Sequence, residues 1–540
     1  MRETPIVKTQ AGAVRGVWTG QTQAAFLGIP YAEPPVGELR FAAPVPRSPW
    51  AGTRQADAYG ATPLRDYMTG ITAIPEPSYP GDDTLRVNVF TPKPGDRSAA
   101  LPVFVWIHGG GFTTGSPSSS WYAGGSFPRD GVVVVSVSYR LGFDGFGVIP
   151  GAPSNRAVLD WLLALEWVRD NIAGFGGDPG RVTIGGQSAG GTAVLTLLSM
   201  PSAQPLFRSA VAESPAAAEV SPAVAERWTA ALASSLGVSP DRDGFASVPE
   251  QRVFDAQSAL SKKAIRLTPA GLRAIVSGED STMQWGPVVD GELIPMPLAQ
   301  AFARGIGADK PLLIGATSNE VTMLLDRLRT VLRAVPRKAA LRLAGLSGAG
   351  ARIYASARPG LDTADTLGQL MTDAVFRFGV AKVVRKRAVF AAKAEQAQSA
   401  APASAPGSGS GTGSGTGSGT GSGSAPSPSP APGGVADTWT YDFAYPSADT
   451  GMAQHCIELP FVWDRLDGEN VGERNTGANP PQAIADAAHG AWVTFIASGD
   501  PGWTPDRPDR HIGMRFDAVS AEVDAPFGFE GNFAARFLTP

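Results

Sequence analysis

Short apolar stretches alternate with longer amphipathic ones through the first two hundred residues. Apolar runs of strand length cover residues 101–107 and 132–139, and hydrophobic positions with helical spacing follow at 155–175. A short strand at 182–185 then precedes a predicted helix at 190–200. Buried strands that alternate with helices are typical of βαβ units, so the pattern predicts an α/β fold with a mostly parallel central sheet flanked by helices.

The later chain predicts two helical insertions within the same single domain, which we expect to span residues 1–540. The insertions cover residues 216–278 and 321–398, and a core strand at 312–315 lies between them. Because these insertions interrupt the strand–helix alternation, we expect them to form a cap over the edge of the sheet.

A compositional break separates the second insertion from the end of the chain. Residues 399–434 contain only Ala, Pro, Ser, Gly and Thr, which cannot bury a core, so this segment is predicted to be a disordered linker. Strand-like residues 438–443 and a predicted final helix at 481–498 follow it.

The charge and the cysteine content of the chain indicate which binding partners and which cellular compartment to expect. The formal net charge is −4, and neither a nucleic acid nor an anionic membrane is expected as a partner without a basic patch. No apolar run reaches the roughly 18 residues of a membrane span, and residues 1–12 lack the apolar stretch of a signal peptide. Cys456 is the single cysteine, so no internal disulfide can form and a cytoplasmic location is expected.

The pentapeptide Gly-Gln-Ser-Ala-Gly at 186–190 carries the first candidate chemistry. It matches G-x-S-x-G and lies between a predicted strand and a predicted helix. In that setting the pattern predicts a nucleophile elbow with Ser188 at its tip. The bare pentapeptide is a weak signal, and the strand–turn–helix context is what gives it weight.

A glycine-rich loop follows the strand at 101–107 and reads His-Gly-Gly-Gly-Phe at 108–112. Consecutive glycines expose backbone N–H groups, which can stabilise the negative charge that develops on an ester oxygen. A glycine loop after one buried strand, paired with a serine elbow after a later strand, is the combination that lipases and esterases use.

A serine nucleophile needs a histidine base, and the chain has four histidines. His108 lies inside the glycine loop, His489 on the predicted final helix where a surface role is expected, and His511 in a charged run where solvation is expected. Elimination therefore favours His455, which follows the strand at 438–443.

The acid that orients the histidine should lie between serine and histidine in chain order. Glu320 is the first candidate, because it follows the core strand at 312–315 by a short loop and catalytic loops leave the carboxyl ends of parallel strands. Asp290 is the alternative, although its Asp-Gly sequence suits a turn. Cys456, next to His455, is interpreted as a small buried hydrophobic residue rather than as a nucleophile.

These motifs and several others together resemble the type-B carboxylesterases, which include bacterial p-nitrobenzyl esterases and the cholinesterases. The matching segments span most of the chain: FLGIPYA at 26–32, PPVG at 34–37, LRVNV at 85–89, WIHGGGF at 106–112, YRLG at 139–142, FGGDP at 175–179, PVVDG at 287–291 and ELPFV at 458–462. The chain departs from the family pattern at Gln187, where an acidic residue is usual.

The resemblance implies the α/β-hydrolase fold and a serine carboxylesterase. Carried over to matching positions, it makes Ser188 the nucleophile, His455 the base and Glu320 the acid. It also implies an oxyanion hole that consists of the backbone N–H groups of Gly110, Gly111 and Ala189. A family serine that supports the triad side chains without reacting itself maps to Ser214.

The implied reaction is hydrolysis of a small-molecule carboxylic ester through an acyl-enzyme, and it needs no metal or organic cofactor. The alternatives are an amidase or carbamate hydrolase with the same triad, and a non-catalytic esterase-like binding protein. The sequence leaves the oligomeric state open, and a monomer is compatible with it. Six aromatic residues are candidates for the substrate pocket, each of which could equally pack in the core: Trp121, Tyr122, Phe376, Phe378, Phe461 and Trp463.

Overall fold

A large twisted sheet organises the chain in a computed structural model that describes residues 3–67, 72–216, 219–264, 268–277, 283–400 and 434–538. Within these residues, eleven strands form one sheet in the order β14-β13-β12-β11-β10-β9-β7-β8-β6-β4-β3, and β1, β2 and β5 form a second, small sheet. The strands are β1 Ile6–Lys8, β2 Ala13–Arg15, β3 Val17–Trp18, β4 Ala24–Pro30, β5 Thr53–Gln55, β6 Arg86–Thr91, β7 Leu101–Ile107, β8 Val133–Val137, β9 Gly177–Gln187, β10 Ser209–Glu213, β11 Leu312–Thr317, β12 Thr438–Phe443, β13 Ile512–Phe516 and β14 Ala521–Asp524.

The middle of the large sheet is parallel. Neighbouring strands run parallel from β8 through β7, β9, β10, β11 and β12 to β13, whereas the pairs at both ends are antiparallel. The carboxyl ends of β7, β9, β11 and β12 therefore lie along one edge, and each of the four candidate site loops follows one of these ends. This is the mostly parallel sheet that the chain pattern predicted, and it fits the α/β-hydrolase fold that the resemblance implied.

Helices cover both faces of the sheet and build the insertions. They are α1 Ser126–Arg129, α2 Gly142–Phe146, α3 Arg156–Asn171, α4 Ala189–Leu198, α5 Pro222–Leu236, α6 Arg242–Ala246, α7 Glu250–Ala264, α8 Pro269–Ser277, α9 Leu298–Ala303, α10 Arg329–Leu332, α11 Arg337–Leu343, α12 Gly348–Ala357, α13 Thr363–Thr372, α14 Phe378–Ala400, α15 Leu459–Val462, α16 Val471–Arg474, α17 Gln482–Ser498 and α18 Gly528–Phe537. A π-helical turn at Asp373–Arg377 joins α13 to α14.

Strand β7 shows why the sheet is buried on both faces. Val103, Val105 and Ile107 belong to one hydrophobic core, whereas the intervening Phe104 and Trp106 belong to the other. All five side chains are almost completely buried. Alternate side chains of a strand point to opposite faces, so a continuous apolar run is what a central strand between two layers of helices requires.

Several boundaries differ from those that the sequence predicted. The helix predicted at 481–498 is α17, but it is not the last element, because β13, β14 and α18 follow it. Strand β10 was not predicted, although it lies between β9 and β11 in the centre of the sheet. The predicted linker at 399–434 lies almost entirely outside the described residues.

Across the part of the chain that the structure describes, none of the helices combines the length and the apolar composition that a membrane span requires.

Candidate active site

Ser188 occupies a sharp turn between β9 and α4. Its backbone has φ 59° and ψ −122°, a conformation that a residue with a Cβ rarely adopts. The turn is held by two hydrogen bonds: the N–H of Ser188 donates to the carbonyl oxygen of Glu213 at 2.8 Å, and the N–H of Thr192 donates to that of Ser188 at 2.9 Å. Ser188 is partly exposed although its flanking residues are buried, so the turn presents its side chain at the edge of the sheet.

The glycines on either side of Ser188 permit this turn. A Cβ on Gly186 would lie 2.5 Å from the carbonyl carbon of Gly190, and a Cβ on Gly190 would collide with the carbonyl oxygen of Ile107. Strand β9, strand β7 and helix α4 therefore approach more closely here than any other residue type allows. This is the physical reason for the G-x-S-x-G spacing in this chain.

The glycine loop after β7 packs closely against the turn that carries Ser188. A Cβ on Gly109 would lie 2.6 Å from the carbonyl oxygen of Gln187 and 3.2 Å from the Cβ of Ser188. Gly110 and Gly111 follow with φ of 114° and 58°, in the region that favours glycine. In the described chain, the N–H groups of Gly110, Gly111 and Ala189 have no protein acceptor. Three backbone donors are thus available beside Ser188 for a ligand oxygen.

Glu320 and His455 form a buried hydrogen-bonded pair. The Nδ1 of His455 lies 2.5 Å from the Oε2 of Glu320, and the backbone N–H of His455 donates to the carbonyl oxygen of Glu320 at 2.9 Å. The other carboxylate oxygen, Oε1, accepts a hydrogen bond from the N–H of Thr317 at 2.8 Å. We assign the Nδ1–H tautomer from this network, because the carboxylate needs a donor.

The second ring nitrogen of His455 faces the elbow. Its Nε2 lies 3.4 Å from the amide nitrogen of Gln187, the residue immediately before Ser188. The ring of Phe376 covers the imidazole, with centroids 4.8 Å apart. The protonated Nδ1 leaves Nε2 as the acceptor, so the ring can take a proton on the side that faces the neighbour of Ser188 in the chain.

Two further carboxyl groups, Glu213 and Glu458, are buried beside this pair. Burial raises the pKa of Glu213 to about 8, and the hydrogen bond that its Oε1 accepts from the indole N–H of Trp492 at 2.8 Å opposes the rise only in part. Burial also raises the pKa of Glu458 well above its usual range, and the nearby Glu320 raises it further. The hydroxyl of Ser214 lies 3.5 Å from the Oε1 of Glu458. Glu213 and Glu458 therefore hold their protons more strongly than ordinary carboxyl groups do.

Comparison with known proteins agrees with this architecture. The model of the carboxylesterase family matches residues 3–401, which is well over half of the chain. The chain belongs to the carboxylesterase family.

Two relatives and one solved structure match the chain over at least nine-tenths of their own lengths. The chain is 31% identical over 509 residues to the para-nitrobenzyl esterase of Bacillus subtilis, an alignment that covers 92% of this chain and 90% of that protein. It is 30% identical to the phenmedipham hydrolase of Pseudarthrobacter oxydans over 99% of this chain and 97% of that one. The crystal structure of the Geobacillus stearothermophilus carboxylesterase EST55 superposes with a TM-score of 0.76 at 29% identity, covering 98% and 99% of the two chains. Together these findings identify a carboxylic ester hydrolase of the serine type.

The other three histidines of this carboxylesterase have partners of their own. His108 is buried and stacks on Tyr139, its Nδ1 lies 2.8 Å from the carbonyl oxygen of Gly109, and burial lowers its pKa to about 4. His511 is about half exposed beside Asp506, as expected for a solvated residue. The surface role expected for His489 is wrong, because the residue is 4% exposed.

His489 is buried because distant parts of the chain supply partners for both of its ring nitrogens. Its Nδ1 lies 2.8 Å from the carbonyl oxygen of Val462 and its Nε2 lies 2.8 Å from a carboxylate oxygen of Asp130. The histidine thus ties α17 to α15 and to the end of α1.

Asp290 has the turn geometry that its Asp-Gly sequence suggested. Its Oδ1 accepts hydrogen bonds from the N–H groups of Glu292 and Ile294, and its Oδ2 accepts one from the side chain of Asn155 at 2.8 Å. These bonds stabilise the turn that follows Val289, and among the described contacts Asp290 has none with His455.

The six aromatic residues suggested for the pocket are all at least nine-tenths buried. Four of them pack in one hydrophobic cluster on one face of the sheet: Trp121, Tyr122, Phe461 and Trp463. Phe376 and Phe378 belong to a separate cluster formed largely by the second insertion, where Phe376 contacts His455. Of the six, Phe376 is thus the one with a ring contact to a candidate catalytic side chain.

Glu213 and Glu458 are buried site residues for which the sequence predicted no role. The available signal was a carboxyl group inside an otherwise apolar stretch, since Glu213 ends the strand Ser-Ala-Val-Ala-Glu and Glu458 precedes Leu-Pro-Phe-Val. A buried carboxyl group of this kind is uncommon unless it has a partner or a function. No cluster of three or more His, Cys, Asp or Glu residues suitable for a metal ion occurs in the described ranges.

Proposed function

We propose that this esterase hydrolyses carboxylic esters through Ser188, with His455 as the base and Glu320 as the acid that orients it. One observation carries the proposal: Glu320 holds His455 by two hydrogen bonds while the Nε2 of the same ring faces the turn that carries Ser188. The resemblance of the sequence motifs to those of the family supports the same three residues.

In the first half of the reaction, the hydroxyl oxygen of Ser188 attacks the ester carbonyl as its proton passes to the Nε2 of His455. The carbonyl oxygen becomes an oxyanion, which accepts hydrogen bonds from the N–H groups of Gly110, Gly111 and Ala189. His455 then gives the proton to the departing alcohol, and the acyl group remains on Ser188.

In the second half, water replaces the alcohol. His455 takes a proton from the water as its oxygen attacks the acyl carbon, and the same three N–H groups bind the second oxyanion. Collapse of this intermediate releases the acid and restores Ser188. Glu320 keeps the Nδ1–H tautomer throughout and stabilises the imidazolium that forms in each half.

The surroundings of His455 favour an apolar substrate group. Phe376 covers the imidazole, and the aromatic clusters beyond it are apolar. We therefore expect hydrophobic or aromatic esters to be better substrates than charged ones. A panel of esters in which the acyl part and the alcohol part vary separately measures this preference.

The direct test is hydrolysis of p-nitrophenyl acetate by the purified chain and by Ser188→Ala. The variant should fold normally and lose on the order of a millionfold in kcat. Ser356→Ala, at an exposed serine on α12, is the matched control and should keep full activity. An active Ser188→Ala enzyme would refute the proposal, and equal rates on an ester and its isosteric amide would favour an amidase instead.

A cytoplasmic setting belongs to the same proposal. The lone Cys456 is buried, so the fold does not depend on a disulfide and suits a reducing compartment. Cell fractionation with activity measured in each fraction tests this location.

A further inference from the structure

The net charge of the chain conceals one strongly basic segment. Residues 327–361 contain eight of its 45 lysines and arginines and no aspartate or glutamate, in a protein whose acidic residues outnumber its basic ones by four. The segment includes α10, α11 and α12 of the second insertion.

Some of these basic side chains form ion pairs within the fold. Arg329 lies in ion pairs with Asp326, Asp362 and Asp365, and Arg358 with Asp373. The remaining side chains differ, because five exposed ones have no carboxylate within ion-pair distance in the described part of the chain. These five, with the aliphatic side chains described next, form what we call the basic face: Arg327, Arg333, Lys338, Arg342 and Arg352.

Exposed aliphatic side chains lie among these cations. Val331 is 70% exposed and Leu343 50%, and Leu328 and Ile353 are each 39% exposed. They are additional to the core, because the opposite sides of α11 and α12 already bury apolar residues such as Leu341 and Ala351. A partner that covers these side chains would gain free energy by removing their apolar surface from water.

Helices α11 and α12 pack against each other, and Lys338 of α11 and Ser356 of α12 line one surface pocket, which joins their exposed sides. On α11 the exposed positions are 338, 339, 342 and 343, and on α12 they include 349, 352, 353 and 356. Positions with this spacing lie on one side of a helix. Each helix thus contributes at least one arginine and one large aliphatic side chain to a shared surface.

We propose that the basic face docks this esterase on an anionic lipid bilayer. Cations near such a surface are attracted to the headgroups, and aliphatic side chains between them can enter the boundary between headgroups and acyl chains. A nucleic acid would satisfy the cations but leave Val331, Leu343 and Ile353 in water, so the mixture favours lipid. The inference is independent of the proposed chemistry and differs from the expectation that net charge alone gave.

The test is cosedimentation of the full chain with vesicles of two compositions. One is phosphatidylcholine alone, and the other contains one part phosphatidylglycerol to two parts phosphatidylcholine. Binding should require phosphatidylglycerol and weaken with added salt, because the attraction is screened. Lys338→Glu, Arg342→Glu and Arg352→Glu combined should lower the partition coefficient by about tenfold or more. Leu343→Ser with Ile353→Ser should also lower it at unchanged charge.

A matched control separates this surface from net charge. Arg252→Glu, Arg304→Glu and Arg510→Glu make the same change in charge at exposed arginines elsewhere and should leave vesicle binding nearly intact. All variants should hydrolyse p-nitrophenyl acetate normally, so failure of docking and failure of the proposed chemistry are distinguishable. Equal loss in both triple variants, no binding to anionic vesicles, or binding to duplex DNA without binding to vesicles would each overturn the proposal.

Discussion

Two groups of buried carboxyl groups in this molecule differ in whether a positively charged side chain lies beside them. In the first, which includes residues of the second insertion, Asp373, Asp442 and Glu530 are paired with arginines. Arg377 lies 2.7 Å from Asp442 and 3.1 Å from Glu530, and Arg358 lies 2.5 Å from Asp373. Every carboxylate in this group thus has a permanent cation beside it.

The second group surrounds the candidate active site and has no such cation. Among the described residues, no lysine or arginine forms an ion pair with Glu213, Glu320 or Glu458. Their hydrogen-bond partners include an indole, a backbone N–H, a serine hydroxyl, the side-chain amide of Gln187 and the imidazole of His455. The one cation that can form among them is the imidazolium of His455.

The arginine-paired carboxylates stabilise the fold, whereas the carboxyl groups around His455 are arranged for a reaction. Burying ions is costly, and fixed guanidinium groups offset that cost in the first group. In the second group an uncompensated carboxylate favours a positive charge that appears only when His455 takes a proton. In the proposed mechanism this is the moment of attack by Ser188, so the surroundings stabilise the transition state more than the resting enzyme.

The largest effect that we expect comes from removing the carboxylate next to His455. Glu320→Gln should lower kcat about ten-thousandfold, because the amide can present a donor to Nδ1 and favour the wrong tautomer. Its melting temperature should change little, since the side chain is nearly isosteric. Asp290→Asn is the control and should keep most of the activity. Steady-state kinetics on p-nitrophenyl acetate measure kcat for both variants. A larger loss of kcat in Asp290→Asn than in Glu320→Gln would assign the orienting acid to Asp290 instead.

The next largest effect is expected on stability, when an arginine is removed from the buried carboxylates that it neutralises. Arg377→Met should lower the free energy of unfolding by about 3–5 kcal/mol, because it leaves buried carboxylates without their cation. Arg515→Met is the matched variant, since Arg515 also contacts Asp442, at 3.1 Å, but is 44% exposed. It should cost no more than about 1 kcal/mol. Denaturant unfolding curves measure both, and equal losses would contradict the distinction between the two arginines.

A smaller, pH-dependent effect should appear at Glu213. The folded protein keeps this proton up to a pH of about 8, whereas the unfolded chain releases it near 4.5. The folded state therefore binds the extra proton, and its stability falls between pH 4.5 and 8, by up to about 1.4 kcal/mol per pH unit.

Glu213→Gln removes this titration. The variant and the wild type should unfold alike below pH 4.5, and the variant should become relatively more stable as the pH rises towards 8. Glu522→Gln, at an exposed glutamate on β14, should show no such trend. A pH-independent difference between wild type and Glu213→Gln would mean that Glu213 is ionised in the fold.

The smallest effect is expected at Cys456. Burial raises the pKa of its thiol well above the usual range, and the nearby Glu458 adds to the rise, so little thiolate is present at neutral pH. Cys456→Ala should keep most of the activity, and iodoacetamide should act slowly. Rapid inactivation that substrate prevents would argue for a reactive thiol in the site.

The sequence predicted correctly those features of the structure that depend on residues close together in the chain. Strands β7 and β12 have the bounds that their apolar runs predicted, and the glycines at 186 and 190 marked the elbow because only glycine fits there. His455 could be selected by elimination, since the chain has so few histidines.

The features that were missed depend on distant partners. Strand β10 is five residues long and includes two alanines and a serine, so its apolar pattern is weak, and its position is secured by parallel pairing on both sides. His489 is buried by groups 27 and 359 residues away in the chain. The raised pKa of Glu213 likewise comes from burial that the strand sequence alone does not show.

The most direct test of the account is covalent labelling of the intact enzyme with an organophosphate, followed by peptide mapping. The strained serine between β9 and α4 should be the one residue labelled, and loss of activity should parallel its modification. Ser214 is the internal control, because it is a buried serine of the same site beside Glu458. A label confined to the peptide that contains Ser188 is the predicted result. A label on Ser214 or on any other serine, with Ser188 unmodified in the inactive enzyme, would show that Ser188 is not the nucleophile.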